Sequence, residues 1–271
     1  MKKVIIVLLV MVLCGCQKTI KEERSLFSWH SQDILDDKQL FDMMERYSIN
    51  SLYQNFKDDD YDDFFKLCLK KKISVYDLCG QPDFALKEKK NDLNNVIDES
   101  IELKETYTSL QGIVLDIEPY LLEQWKNHQD QIMKEFLENL KMAYQKCHNY
   151  HLQMIVCIPY YYDTFNQQTF LKKLIQSYCD GIAIMNYYKK NESQHIEQEV
   201  KLCQTYHKQC VVIYEMNQPH QNGITEMNSY YKEGIDQAIQ SFNKIKKEYN
   251  EEIIMSFHDY RALCQIEQSQ G

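Results

Sequence analysis

The sequence predicts an α/β protein, and within that class a closed (β/α)8 TIM barrel whose last helix is short or missing. Three observations predict this fold. Eight short strand-like segments alternate with helical patterns along the chain, several of those segments are apolar without interruption, and the length of 271 residues suits one such barrel. A doubly wound open sheet is the structural alternative, but the glycine-rich first turn of its nucleotide-binding members is missing.

The strand-like segments set the order of the predicted barrel. Two of them contain continuous apolar runs, Gly112–Leu115 and Met154–Ile158, as a parallel strand buried on both faces requires. The predicted strands are Leu26–His30, Ile49–Phe56, Ile73–Cys79, Leu110–Glu118, Leu152–Pro159, Gly181–Tyr187, Cys210–Glu215 and Ile253–His258. Residues 26–271 are therefore interpreted as one barrel domain.

Three stretches between the strands carry apolar residues at helical spacing. They are Gln39–Tyr47, Gln131–Cys147 and Ile235–Tyr249. Their apolar stripes are predicted to face the core and nothing more. Only Asp259–Gly271 follows the last strand, which is why the final helix is expected to be short or absent.

The first residues are typical of an export signal. Lys2 and Lys3 precede the apolar run Val4–Leu13, which is too short to span a bilayer as a helix. Leu13–Cys16 resembles a bacterial lipobox, and the resemblance implies that Cys16 is acylated, with palmitate or a similar chain. We therefore expect a signal peptide over residues 1–16, a polar tether over 17–25, and a lipoprotein held at the cell membrane. The barrel would face the extracellular or periplasmic side of the cell envelope, with plain secretion as the alternative.

Composition excludes some partners. The formal net charge of −9 repels phosphate backbones, and no basic stripe interleaved with aromatic residues is visible, so we expect no nucleic acid partner. The cysteines show no spacing typical of zinc ligands, so we expect no metal and no cofactor. Cys79 and Cys157 lie in apolar runs and are interpreted as small buried side chains, while the pairing of the other cysteines stays open. We expect a monomer.

The polar residues cluster where the predicted strands end, and in a barrel the carboxyl ends of the strands carry the function. Asp116 and Glu118 are two residues apart on one strand, so they share a face, and the mouth of the barrel is favoured because a carboxylate against the helices would be costly. Two neighbouring carboxyl groups raise each other's proton affinity. One then stays protonated near neutral pH and can protonate a glycosidic oxygen. A salt-bridged pair at a strand end is the structural alternative.

The segment Gly112–Glu118 resembles the fourth-strand signature of family 18 glycoside hydrolases, the chitinases and related endoglycosidases, whose pattern is D-G-x-D-x-D-x-E. Met185–Tyr187 resembles the Met-x-Tyr segment of the same family. The resemblance implies that Glu118 is the general acid/base and that Asp116 orients the acetamido group that attacks the anomeric carbon. It also implies that Tyr187 helps to hold that group.

The sequence departs from that family at several positions. Gln111 and Val114 stand where the family has its first two aspartates, and Tyr188 replaces the aspartate that follows Met-x-Tyr. The tryptophan of the eighth strand is replaced by Phe257 or His258. These departures leave a second function open, a catalytically inactive barrel that binds carbohydrate at the cell surface. A structural envelope protein is the third.

A second glutamate, Glu215, closes the seventh strand. This placement resembles retaining glycosidases that use a fourth-strand acid/base and a seventh-strand nucleophile. Glu215 is therefore predicted to be a nucleophile or a substrate clamp, with a structural pairing to a cation such as Arg261 as the alternative. The remaining predicted substrate-binding residues are aromatic or polar residues near strand ends that suit the binding of sugars: Trp29, His30, Trp125, Tyr160, Asn186, Tyr187 and His258.

Overall fold

The structure is a computed structural model, which describes residues 24–34, 37–57, 60–163, 168–221, 223–249 and 252–270. Eight parallel strands close into one barrel in chain order, with the last strand paired to the first. They are β1 Arg24–Ser28, β2 Ser51–Gln54, β3 Ser74–Cys79, β4 Leu110–Leu115, β5 Gln153–Pro159, β6 Gly181–Met185, β7 Gln209–Glu215 and β8 Ile254–His258. The predicted (β/α)8 barrel is confirmed.

Helices surround the barrel, and their amphipathic faces pack against it. They are α1 Asp37–Arg46, α2 Asp62–Lys71, α3 Lys90–Thr106, α4 Trp125–Asn149, α5 Gln168–Ser177, α6 Glu192–His195, α7 Glu197–Tyr206, α8 Ile235–Glu248 and α9 Tyr260–Gln270. The three stretches predicted to be helical from their spacing are α1, α4 and α8. The last helix has 11 residues and packs beside β1.

Side-chain alternation along the strands divides the apolar residues into two cores. On β4, Val114 lies in the barrel interior, whereas Ile113 and Leu115 belong to the larger core between the barrel and the helices. Within the interior, the ring of Tyr53 packs edge-on against Phe27 at 5.1 Å and against Tyr76 at 5.4 Å between centroids. These rings fill the centre of the barrel, so the space for chemistry is the opening at the carboxyl ends of the strands, called the mouth below.

The predicted leader, the predicted acylation site Cys16 and the predicted tether up to residue 23 lie outside the described residues. In the part of the chain that is described, none of the helices has the length and apolar character needed to cross a bilayer. The cysteines from Cys68 onward are free thiols, and Cys157 is fully buried in the barrel interior, as its position in an apolar run indicates.

Candidate active site

Asp116 and Glu118 follow β4 and continue the alternation of that strand. Val114 points into the barrel interior and Ile117 is buried in the outer core, so Asp116 and Glu118 lie on the interior side. The backbone of Asp116 is fixed by a hydrogen bond from its N–H to the carbonyl oxygen of Cys79 at 2.9 Å. Gly80 makes this approach possible, since a Cβ atom there would lie 1.9 Å from the carbonyl oxygen of Asp116.

The Asp116 carboxyl group is buried at the base of the mouth. Burial, and then the charge of Glu118, raise the pKa of Asp116 to about 7, although His258 and a hydrogen bond with Cys157 oppose the change. Its Oδ1 atom is buried and accepts no hydrogen bond from the described residues. Burial and the charge of Glu118 thus favour a protonated Asp116 carboxyl group near neutral pH.

Two tyrosines outside the set of predicted substrate-binding residues complete this side of the mouth. After Glu118 the chain enters a 3-10 turn at Pro119–Leu121, which brings the hydroxyl of Tyr120 back to donate a hydrogen bond to Glu118. The ring of Tyr120 packs edge-on against Tyr161 at 6.0 Å. Burial, followed by the charge of Glu118, raises the pKa of Tyr161 to about 12, so this phenol stays neutral and can donate a hydrogen bond.

Tyr187 follows β6 and links the two acidic sides of the mouth. Its ring centroid lies 6.0 Å from that of His258. Burial raises the pKa of Tyr187 well above its usual range, and the charges of Glu215 and Asp116 raise it further. The Asn228 side chain donates a hydrogen bond to the Tyr187 carbonyl oxygen at 2.6 Å and fixes the backbone. Tyr187 is thus a neutral phenol between the carboxylates of β4 and β7.

Glu215, at the end of β7, has both carboxylate oxygens engaged within the protein. The Asn217 backbone N–H and side-chain amide donate to Oε1 at 2.8 and 2.9 Å, and Oε2 lies 3.1 Å from His258 Nδ1. Burial alone would raise the pKa of Glu215, but the charge of His258 and the hydrogen bonds from His258 and Asn217 outweigh it and lower the pKa. Glu215 is therefore an ionised, fully hydrogen-bonded carboxylate. The cation suggested as its structural partner, Arg261, instead binds Asp33 at 2.9 Å.

His258 connects Glu215 to the first strand. Burial would lower the pKa of His258, but the hydrogen bond and charge of Glu215 outweigh it and, with Asp259 and Asp116, raise the pKa to about 9. On its other side, the Trp29 indole N–H donates a hydrogen bond to His258 Nε2 at 3.1 Å. The structure therefore places Trp29, and not the exposed His30, against His258.

Three further sequence-predicted residues lie apart from the carboxylates. Asn186 alternates with Met185 and Tyr187, so it faces the helices, where its amide donates to the Glu192 carbonyl oxygen at 3.0 Å. Trp125 begins α4 and packs, half-buried, against the outer core. Tyr160 stacks on His195 at 4.5 Å and also packs against the outer core. The residues that the fold brings together are Trp29, Asp116, Glu118, Tyr187, Glu215 and His258.

The chemistry of this mouth follows from its groups. It combines the Asp116 carboxyl group with its raised pKa, the neighbouring Glu118, the ionised Glu215 and several neutral phenols. Across the described ranges, no three histidine, cysteine, aspartate or glutamate side chains are grouped closely enough to hold a metal ion. Such a mouth can protonate an oxygen leaving group and can hold a ligand rich in hydroxyl or amide groups.

Comparisons with known proteins support the fold. No protein-family model matches the sequence, and no curated protein is significantly similar to it. Solved structures do match the barrel, and they include chitinases and other glycoside hydrolases. At 10–12% identity these likenesses concern the fold alone.

Three of these structures illustrate the range of similarity. The spore cortex-lytic enzyme SleL of Bacillus megaterium superposes with a TM-score of 0.60 at 10% identity, over 91% of this chain and 73% of that one. An α-L-fucosidase-like protein of Bacteroides thetaiotaomicron gives a TM-score of 0.60 at 12% identity, over 92% of both chains. A family 18 chitinase of Cycas revoluta in complex with (GlcNAc)4 gives 0.55 at 11% identity, over 92% of this chain and 100% of that one.

Proposed function

We propose that the protein is a glycoside hydrolase in which Glu118 is the general acid/base and Asp116 assists it. The observation that carries this proposal is the Asp116–Glu118 pair on the interior side after β4, where burial and the second carboxyl group raise the pKa of Asp116 to about 7. A proton held in this way is available to a glycosidic oxygen at neutral pH. Tyr120 and Tyr161 next to Glu118 would bind the sugar hydroxyl groups.

An N-acetylated sugar is the proposed substrate unit. Asp116 Oδ1 has no partner among the described residues, and Tyr187 is a neutral donor beside it, so the two could hold the N–H and the carbonyl oxygen of an acetamido group. The acetamido oxygen would then attack the anomeric carbon while Glu118 protonates the leaving oxygen, as the resemblance to family 18 implies. One structural neighbour binds (GlcNAc)4, which is consistent with this choice.

The state of Glu215 favours this scheme over a seventh-strand nucleophile. A carboxylate whose two oxygens already accept three hydrogen bonds has little nucleophilic character left, and moving it toward a sugar would break those bonds. The glycan is proposed to be extracytoplasmic, with the barrel held at the membrane by acylated Cys16, on the strength of the leader sequence.

A carbohydrate-binding barrel without catalysis is the second candidate. It is favoured by Val114, which packs in the apolar barrel interior at a position where the family 18 pattern has an aspartate. Asp116 therefore lacks a carboxyl neighbour on that side and has the Cys157 thiol close to it instead.

Turnover of chitooligosaccharides and peptidoglycan fragments by the wild type tests the proposal, with Glu118→Gln as the inactive variant. We expect Glu118→Gln to lower kcat by about 10²–10⁴-fold with an unchanged circular dichroism spectrum. Glu123→Gln, an exposed glutamate in the same loop, is the matched control and should keep wild-type activity. Sugar binding without any product would identify the binding barrel, and neither binding nor product would reject both.

A further inference from the structure

A chain of hydrogen bonds crosses the closure of the barrel from β7 to β1. It runs from Asn217 to Glu215 Oε1, from Glu215 Oε2 to His258 Nδ1 at 3.1 Å, and from His258 Nε2 to the Trp29 indole N–H at 3.1 Å. Glu215 is only 3% exposed. Trp29 is half-buried, so part of this residue remains exposed to solvent.

The donors and acceptors in this chain admit one assignment. Both Asn217 groups are donors and both meet Oε1, so Oε2 is the oxygen that remains for His258. A carboxylate can only accept, so His258 Nδ1 carries a hydrogen. The indole N–H of Trp29 can only donate, so His258 Nε2 must present a lone pair. Glu215 thus selects the tautomer of His258 that accepts from Trp29.

We propose that Glu215 and His258 are positioning residues that hold Trp29 in place as one wall of the sugar-binding mouth. Trp29 also packs against Phe27 at 6.4 Å between ring centroids, so the indole is held on one side by Phe27 and at its nitrogen by His258. An indole fixed in this way offers a rigid apolar face for a sugar ring. The inference rests on the proposed function only for the identity of the ligand.

Protonation of His258 competes with Trp29 for the same nitrogen. The groups that face His258 are Glu215 from β7, Asp116 after β4, Tyr187 after β6 and the adjacent Asp259. The acidic ones raise the pKa of His258 to about 9, which favours the imidazolium, whereas two N–H groups would repel each other at 3.1 Å. The hydrogen bond from Trp29 is therefore made by the neutral ring, which predominates above about pH 9, and protonation of His258 below that pH should release Trp29.

The decisive variant is Glu215→Gln, made in a Trp125→Phe background so that Trp29 is the sole tryptophan. The two Asn217 donors fix the amide oxygen at the Oε1 position, so the new NH2 group faces His258 Nδ1. His258 Nδ1 must then accept a hydrogen bond from this NH2 group, so the ring hydrogen lies on Nε2. The Nε2–H group and the Trp29 indole N–H would then face each other without an acceptor. The variant keeps the shape of the side chain and reverses the tautomer.

The readout is the indole N–H resonance of Trp29, with acrylamide quenching of its fluorescence, measured at pH 9.5 without any glycan. We expect Glu215→Gln to shift the resonance and to raise the quenching constant by about twofold. His258→Phe, which removes the acceptor, should give the same change, and the double variant should add nothing further. Glu233→Gln, a surface glutamate paired with Lys189, is the control that should leave the signal unchanged.

Kinetics on the same variants separate a positioning role from a catalytic one. At pH 9.5, where the His258 ring is neutral, we expect Glu215→Gln to raise KM by about tenfold and to change kcat by less than about threefold. A fall in kcat of about a thousandfold with an unchanged Trp29 resonance would show that Glu215 acts on the substrate and would overturn the inference. An unchanged resonance in both Glu215→Gln and His258→Phe would overturn it as well. If the wild type hydrolyses no glycan, the proposed function fails, but the Trp29 signal still decides this inference.

Discussion

Asp77 and Asp116 lie near the ends of the adjacent strands β3 and β4 but face opposite sides of the barrel. Both are shielded from solvent, and burial is the main cause that raises the pKa of Asp77 to about 6 and that of Asp116 to about 7. Asp77 points at the helices, where the Ser100 hydroxyl on α3 donates to it at 2.5 Å. Asp116 points into the mouth, and one of its oxygens has no partner in the described part of the chain. A raised pKa therefore does not separate a functional carboxyl group from a structural one.

The layer between the barrel and the helices holds more buried carboxyl groups than we expected. Glu192 accepts hydrogen bonds from the hydroxyl groups of Tyr214, Tyr230 and Ser241. Glu199 on α7 is fully buried without a hydrogen-bond partner in the described residues. The expectation that a carboxyl group is excluded from this layer is wrong for this protein. What distinguishes the mouth is convergence, since groups from β1, β4, β6, β7 and β8 meet there.

The largest expected effect contrasts the two aspartates. Asp116→Asn should lower kcat/KM by about 10²–10³-fold, because the pair can no longer exchange its proton and the amide cannot accept at both atoms. Asp77→Asn should leave kcat/KM within about threefold, because the amide oxygen can still accept from Ser100. Steady-state kinetics with circular dichroism on both variants measures the contrast. Equal losses in the two variants would break the distinction drawn between the two faces.

Glu192 provides the structural counterpart. Glu192→Gln replaces one acceptor by a donor among three hydroxyl groups and should lower the free energy of unfolding by about 2 kcal/mol. Activity per folded molecule should not change, because no described contact links Glu192 to the carboxyl groups of the mouth. Urea unfolding monitored by fluorescence measures the free energy of unfolding. Steady-state kinetics, normalised to the concentration of folded protein, measures the activity. Loss of activity without loss of stability would show that Glu192 contributes to the active site.

The pH dependence of catalysis should report the Asp116–Glu118 pair. Asp116, with a pKa of about 7, is proposed to supply the proton that Glu118 passes to the leaving oxygen, so kcat/KM should fall as pH rises through about 7. In Asp116→Asn the pH at which kcat/KM falls should change, because the titrating carboxyl group of Asp116 is gone. In Asp77→Asn that pH should stay the same. If kcat/KM falls at the same pH in the wild type and in Asp116→Asn, another group controls this pH dependence.

The smallest effect concerns Glu199 and pH-dependent stability. Burial raises the pKa of Glu199 to about 8 from a usual value of 4.5, so the folded state binds a proton that the unfolded chain releases. That stabilisation is complete below about pH 4.5 and is lost as pH rises through about 8. The free energy of unfolding of Glu199→Gln should therefore rise relative to that of the wild type between pH 5 and pH 8, by at least about 1 kcal/mol. Glu197→Gln, exposed on the same helix, should show no such gain in urea unfolding at the two pH values.

The sequence allowed the barrel to be predicted because parallel strands buried on both faces leave uninterrupted apolar runs. The observed strands begin and end within three residues of the predicted positions. The two-residue period also indicated that Asp116 and Glu118 share a face. Applied strictly to β6 and β1, the same period would have turned Asn186 outward and selected Trp29 over His30, since Met185 and Phe27 lie in the interior.

Other parts of the mouth could not be predicted in this way. Tyr120 reaches Glu118 only because Pro119 starts a 3-10 turn, which ends the alternation of the strand. The hydrogen bonds that immobilise Glu215 depend on the loop after β7 and on the closure of β8 against β1, and neither is visible in local spacing. These contacts are the reason why we propose that Glu215 is a positioning residue and not a nucleophile.

The most direct test is a crystal structure of Glu118→Gln with chitotetraose bound. The account predicts that a glycosidic oxygen lies within hydrogen-bonding distance of the side chain at position 118, with an acetamido group against Asp116 and Tyr187 and a sugar ring against Trp29. A sugar bound outside the mouth, or a scissile bond placed against Glu215 and away from position 118, would contradict it.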